Sequence, residues 1–288
     1  MRARLLIIVL FALLAAACNK TDGYGDLSVN IGYSVNGKAL VTDSLCYTNE
    51  AGNTFMITEI QWFLSKMELQ DERGDWHTSD KIFYIDTNIP ESQTLAVASL
   101  PIGRYQTLRF TFGLDEEDNL TGLFSDPPES EMFWPDQLGG GYHYMKLNGK
   151  YVGAEGRLHP LAIHLGIGQN EDLTELYQNY FTVELPIDFT IAANAENQLD
   201  LTMIVDNWFR DPNTIDFNEF GSHIMQNQTA QRLISGNGND VFRTGKTTDM
   251  EKDNKLAEKF RNAMRLATPK PQFLSWKNVI ECGMRNEE

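Results

Sequence analysis

Period-two patterning constrains this chain more than any other feature. Apolar and polar residues alternate in many short runs, and turn residues punctuate them. Side chains two apart on a strand share a face, so each run describes a strand with one face to bury. "LSVNIGYSV" (27–35) stops at Asn36-Gly37, a dipeptide suited to a tight hairpin turn. "TFMITEIQWFLSKMELQ" (54–70) alternates over much of its length and ends before Arg73-Gly74. Further runs cover 81–87, 94–100, 105–115, 142–152 and 161–167, and 180–193 and 197–209 read as a pair. Pro186 cannot donate a ladder hydrogen bond, which predicts a sheet edge or a bulge there. The pattern predicts an all-β fold, a β-sandwich with short helices.

The last third changes period. "HIMQNQTAQRLI" (223–234) predicts a short helix, with Ser222 as its candidate cap. "DMEKDNKLAEKFRNAMRL" (249–266) places Leu256, Phe260, Met264 and Leu266 on one stripe and predicts a C-terminal helical extension. The tail from 269 to 284 is expected either to run extended over the sandwich or to be partly disordered. There is no Pro/Ser linker and no internal repeat at a fixed period.

The N-terminus predicts export. Arg2 and Arg4 precede an apolar run, Leu5 to Leu14, and Ala15-Ala16-Ala17 lead to Cys18. That is the order of parts in a secretory signal peptide. A cysteine directly after the small residues predicts a bacterial lipoprotein with Cys18 as the lipidated N-terminus; the alternative is an ordinary signal peptide cut nearby. An acyl chain anchors by burying CH₂ groups at roughly 0.8 kcal/mol each. The formal charge is −16, and losing Arg2 and Arg4 with residues 1–17 takes it to −18. Such a surface argues against nucleic acid, whose phosphates recruit Lys and Arg. Cys46 and Cys282 would remain, as a disulfide or as two thiols, and neither belongs to a CxxC pair. The segment "DEEDNLTGLFSDPPESE" (115–131) holds seven acids and no Lys or Arg. It lacks the spacing of an EF-hand loop and reads as a solvated loop.

Nothing in the sequence singles out catalytic chemistry. There is no G-x-S-x-G elbow, no HExxH pair and no P-loop, and no two carboxylates stand apart from the rest. The five histidines are more informative. His77 and His159 lie beside turn residues and read as surface positions. His143 and His164 fall on adjacent strand runs able to pair as a hairpin, with His143 on the face of Met145 and Leu147. His223 and Met225 form a His-x-Met pair at the start of the predicted helix. Imidazole and thioether together are a soft ligand set that favours copper, Cu(I) above all, over magnesium or calcium. The competing reading of each strand histidine is a hydrogen-bonded core residue. "MFWPDQLGGGYHYMKLNGKY" (132–151) concentrates the question, since Trp134, Gly139 to Gly141, His143 and Met145 are close together. It is either a loop entering a strand or one wall of a copper site.

Six blocks in order resemble the MbnP-like family of exported copper-binding proteins: 55–69, 102–119, 132–151, 163–166, 199–209 and 223–242. The resemblance spans about residues 26 to 243 and identifies 26–245 as one domain, after a signal peptide (1–17) and a linker (18–25) and before the tail (246–288). It implies a β-sandwich that binds copper, with His164, His223 and Met225 as the matching ligands; His143 falls where many relatives carry another residue. In such relatives a Trp can be oxidised to kynurenine by a dihaem cytochrome c peroxidase-like enzyme, and Trp134 is the corresponding position. Pro135-Asp136 departs from the family pattern after that Trp, which assigns Trp134 a packing or lid role here.

The expectation is therefore a lipid-anchored, non-catalytic copper protein of the periplasm or outer membrane, handling Cu(I) or Cu(II). The alternative is a metal-free surface lipoprotein that docks a glycan or an outer-membrane TonB-dependent transporter through exposed aromatics such as Trp76 and Trp208.

Overall fold

A computed structural model describes residues 23–245, except 171 and 173. Cys18, Cys282, the signal peptide, the 249–266 helix and the tail lie outside the described residues. The strands in chain order are β1 (Tyr24–Val35), β2 (Lys38–Ala39), β3 (Tyr47–Thr48), β4 (Thr54–Asp71), β5 (Trp76–Ser79), β6 (Phe83–Asp86), β7 (Thr94–Pro101), β8 (Gly103–Phe112), β9 (Met145–Val152), β10 (Leu158–Leu165), β11 (Gly168–Gln169), β12 (Leu176–Tyr177), β13 (Phe181–Ile191), β14 (Asn197–Ile204) and β15 (Phe242–Thr244). The helices are α1 (Phe217–Phe220) and α2 (Gln228–Gly236), with short 3₁₀ turns between elements.

Two sheets form the sandwich. One has the order β15-β14-β1-β2, with β7 also on β1; the other has the order β10-β9-β4-β8-β13, with β3, β5 and β6 also on β4. The alternation in β1 buries Leu27, Val29, Ile31 and Tyr33. Trp62 of β4 meets that layer from the opposite sheet, donating from Nε1 to the Tyr33 hydroxyl at 3.0 Å and packing on Phe242 of β15. Asn36 and Gly37 take φ of 50° and 74°, as the predicted hairpin between β1 and β2 requires.

β4 shows how the sequence bends its own pattern. The inward residues are Phe55 and Ile57, then Ile60, Trp62 and Leu64, then Met67 and Leu69. The phase slips twice, and the strand register shifts at the same places, between Ile57 and Glu59 and between Ser65 and Glu68. One extra residue in a bulge restores burial to the same face. Lys66 sits in the second bulge at φ 50°.

Several expectations change in the structure. The runs 180–193 and 197–209 do not pair: β13 joins β8 in one sheet, and β14 runs parallel to β1 in the other. β13 is an edge strand whose register shifts after Pro186, as its ring demands. The acidic segment is anchored rather than merely solvated. Lys66 reaches Asp115, Glu117 and Asp118 at 3.3–3.5 Å, and Phe124 stacks on Phe63 at 5.2 Å. Phe63 and Trp62 are adjacent in β4 and so face opposite sides of the sheet, so this segment covers the outer side. His159 lies within β10 and bonds Glu155. Trp208 is fully buried against Phe112, which removes it from any docking surface, and Trp76 carries the Arg109 guanidinium over its ring.

Candidate metal centre

The segment 132–143 folds into a tight strap. His143 N–H donates to the Met132 carbonyl at 2.6 Å, and Trp134 N–H donates to the Gly141 carbonyl at 2.8 Å. Gly139, Gly140 and Gly141 have φ of 115°, 72° and 77°, values that side chains oppose, so the three glycines allow the return. Trp134 then closes the loop through Nε1–H to the Leu138 carbonyl at 3.0 Å. The earlier acidic segment holds the strap down, with Asn119 Oδ1 accepting from Tyr142 N–H and Thr121 Oγ1 from Gly141 N–H, both at 2.8 Å.

The strap delivers His143 to His164. β9 and β10 pair as predicted, with His164 opposite Lys146. Met145 and Leu147 enter the core, but His143 lies against His164, whose cross-strand partner is on the other face of β9. His143 therefore leaves the face it was expected to share. Its ring centre is 5.2 Å from that of His164 and 4.7 Å from that of Trp134, edge to face in both cases. Trp134 is fully buried and acts as the wall behind the pair. A side chain at Gly166 would come within 2.6 Å of the Trp134 indole, so that glycine provides the space.

The hydrogen bonds define the tautomers. A carbonyl only accepts, so His143 Nδ1 carries the hydrogen it gives to Met132 O at 2.9 Å. Its Nε2 is the basic nitrogen; that atom is buried and has no hydrogen-bond partner among the described residues. Asn148 gives its amide nitrogen to Glu59 Oε2 at 3.3 Å, which leaves its Oδ1 facing His164 Nε2 at 2.8 Å. His164 Nε2 thus carries the hydrogen, and Nδ1 is its basic nitrogen. A histidine fixed through one N–H to a carbonyl or amide oxygen and offering the other nitrogen is the usual arrangement of a metal ligand. Burial lowers the His143 pKa to about 3, with His164 and Lys146 adding to the effect. Burial and then Lys146 lower that of His164 to about 4. Both rings are neutral near pH 7, as ligation requires. Rings whose centres are 5.2 Å apart can share one ion at metal–nitrogen distances of ~2.0–2.1 Å.

His223 and Met225 stand apart from this pair. His223 is exposed with φ 60°, and it precedes a 3₁₀ turn over Ile224–Gln226. Helix α2 starts later than predicted, capped by Asn227 Oδ1 accepting from Ala230 N–H. Asn227 has the extended backbone that a helix cap needs, at φ −97° and ψ 93°. Among the described residues no three His, Cys, Asp or Glu converge to hold an ion, so His223 does not complete a cluster with His143 and His164. The turn is nonetheless tied to β10. Gln231, fully buried on α2, donates from Nε2 to both His164 O at 2.6 Å and Ile224 O at 3.1 Å. Sequence reasoning missed Asn148, Gln231, Gly166 and the Met132 carbonyl. Asn148 was recoverable, because the β9–β10 register puts it two residues from the His164 partner and on the same face. Gln231 carried no signal.

The sequence profile of the MbnP family matches residues 24–227, more than half of the 288-residue chain. Among solved structures, MbnP from Methylosinus trichosporium is similar, at 14% identity and a TM-score of 0.47, over 68% of this chain and 80% of that one. No curated protein sequence matches.

Proposed function

Because this chain belongs to the MbnP family, whose association is with copper, we propose that it is a copper-binding protein anchored in the bacterial cell envelope by lipid on Cys18. It sequesters or delivers the metal and catalyses no reaction. Copper is its cargo. The observation that carries this reading is the unpartnered, buried Nε2 of His143 beside the His164 ring. Burying a polar atom without a partner costs free energy, and a neutral imidazole pair with committed N–H groups repays that cost when it binds an ion. Two imidazoles supply a nitrogen donor set that suits copper. Met225, half-buried on the turn bound to β10, and exposed His223 are further donors of the same soft class.

The test is the metal content of residues 19–288 after exposure to Cu(I), and separately to Cu(II), followed by desalting. We expect about one copper per chain, abolished by His143→Ala with His164→Ala and reduced less by His223→Ala with Met225→Ala. Copper retention unchanged by the first pair would overturn the site. The anchor is checked in cells with the full chain. Cys18→Ser should move the protein from the membrane fraction to the soluble one, and an unchanged distribution would refute lipidation.

A further inference from the structure

Lys146 carries an ammonium built into the surroundings of the histidine pair. It is opposite His164 in the β9–β10 ladder, where facing Cβ atoms are ~4.5–5.5 Å apart. Its Nζ is fixed on the Glu131 carbonyl at 2.6 Å. The next carbonyl along, that of Met132, holds His143 Nδ1. Two successive carbonyls at the entry to the strap, those of Glu131 and Met132, therefore pin a positive charge and orient His143 side by side. Burial pulls the Lys146 pKa below its usual value, Glu59 and Glu131 oppose that shift, and the other ionisable neighbours are the two neutral histidines. Asn148 and Gln61 flank it on β9 and β4 and carry no charge.

From this geometry we infer that Lys146 is a specificity-determining residue that selects a monovalent metal ion, Cu(I), against divalent ions at the His143–His164 site. The inference rests on the copper-binding reading above. The physics is Coulomb's law. A fixed unit charge repels a divalent ion twice as strongly as a monovalent one at the same place, and within a partly buried site the difference is little screened. The lysine thus lowers affinity for both ions but penalises the divalent one more. Glu59, which accepts from the Asn148 amide, and Glu131 add a fixed background field, on top of which the lysine's own contribution still weighs twice as heavily on a divalent ion as on a monovalent one.

The experiment uses the detergent-solubilised full chain and two d¹⁰ ions that differ in charge, Cu(I) and Zn(II), each supplied alone. Affinities come from competition with chromophoric chelators. Lys146→Gln should raise Zn(II) affinity at least about tenfold more than Cu(I) affinity, and Lys146→Arg should keep the wild-type ratio. Comparing ratios between variants removes the intrinsic preference of imidazole for either metal. Thermal melts of the ion-free proteins show whether Lys146→Gln is folded; if it is not, Lys146→Met, which keeps the apolar stem, takes its place. Equal changes for both ions, or none, while the wild type still binds Cu(I), would overturn the selectivity role and leave the copper site standing. Wild-type protein that binds neither ion would overturn both.

Discussion

At the residue scale, the His143–His164 pair couples burial to protonation. An unfolded histidine titrates near pH 6.5, whereas these two titrate near pH 3 and 4 in the fold. Between those values the unfolded chain binds protons that the native state refuses. The sign follows directly: stability is fullest above about pH 6.5 and is lost as pH falls toward 4. The span for His164 alone, from about 6.5 to about 4, corresponds to ~3 kcal/mol. Urea unfolding of the ion-free protein at pH 7 and pH 4.5 should show this decline. The double variant His143→Asn with His164→Asn should show a shallower one. Equal slopes in the two proteins would mean that the rings are not buried in their neutral form. Residue chemistry of this kind was only half legible in the sequence. The residue types were visible, but protonation states depend on Met132 O and Asn148 Oδ1, which only the folded strap and hairpin bring to the rings.

At the element scale, strands were the most legible feature, because burial on one face writes period two directly into the chain. The hairpin of β9 and β10 and the edge position of β13 were both readable. The phase slips of β4 were not, since a bulge looks in sequence like noise in an alternation. The helix boundary was misplaced for a similar reason. Ser222 and Asn227 are both good caps by type, and only the fold shows which one the helix uses. Helix α2 matters to the site because it carries Gln231, whose amide joins β10 at His164 to the turn at Ile224. Gln231→Leu fills the same space but leaves two buried carbonyls without that donor. An unsatisfied buried acceptor costs roughly 1–3 kcal/mol, so we expect the variant to lose about 2–4 kcal/mol in urea unfolding and to bind copper more weakly. A loss below about 0.5 kcal/mol would make the clamp incidental.

At the scale of the whole molecule, the pairing of distant strands could not be read from alternation, which reports which face is buried but not which neighbour completes the ladder. β1 and β14 illustrate this. Leu27 faces Asn197 and Ser34 faces Ile204 in a parallel pair, so each contact joins residues 170 apart. The first sheet therefore forms only when the two ends of the described fold meet. The second sheet is locked to it by Trp62, which meets Tyr33 and Phe242 across the sandwich. Neither layer can bury its inner face alone, and contacts of such long sequence separation favour slow, all-or-none folding. Unfolding of the described region should accordingly be one cooperative transition. Tryptophan fluorescence and far-UV circular dichroism should give the same urea midpoint. Leu201→Ala, at a fully buried position of β14, should lower both midpoints together and cost about 2–5 kcal/mol. If the substitution instead separated the two curves, the sheets would be independent units. The strap would then no longer owe its rigidity to the complete sandwich, because Phe63, on which the acidic segment rests, belongs to the same strand as Trp62.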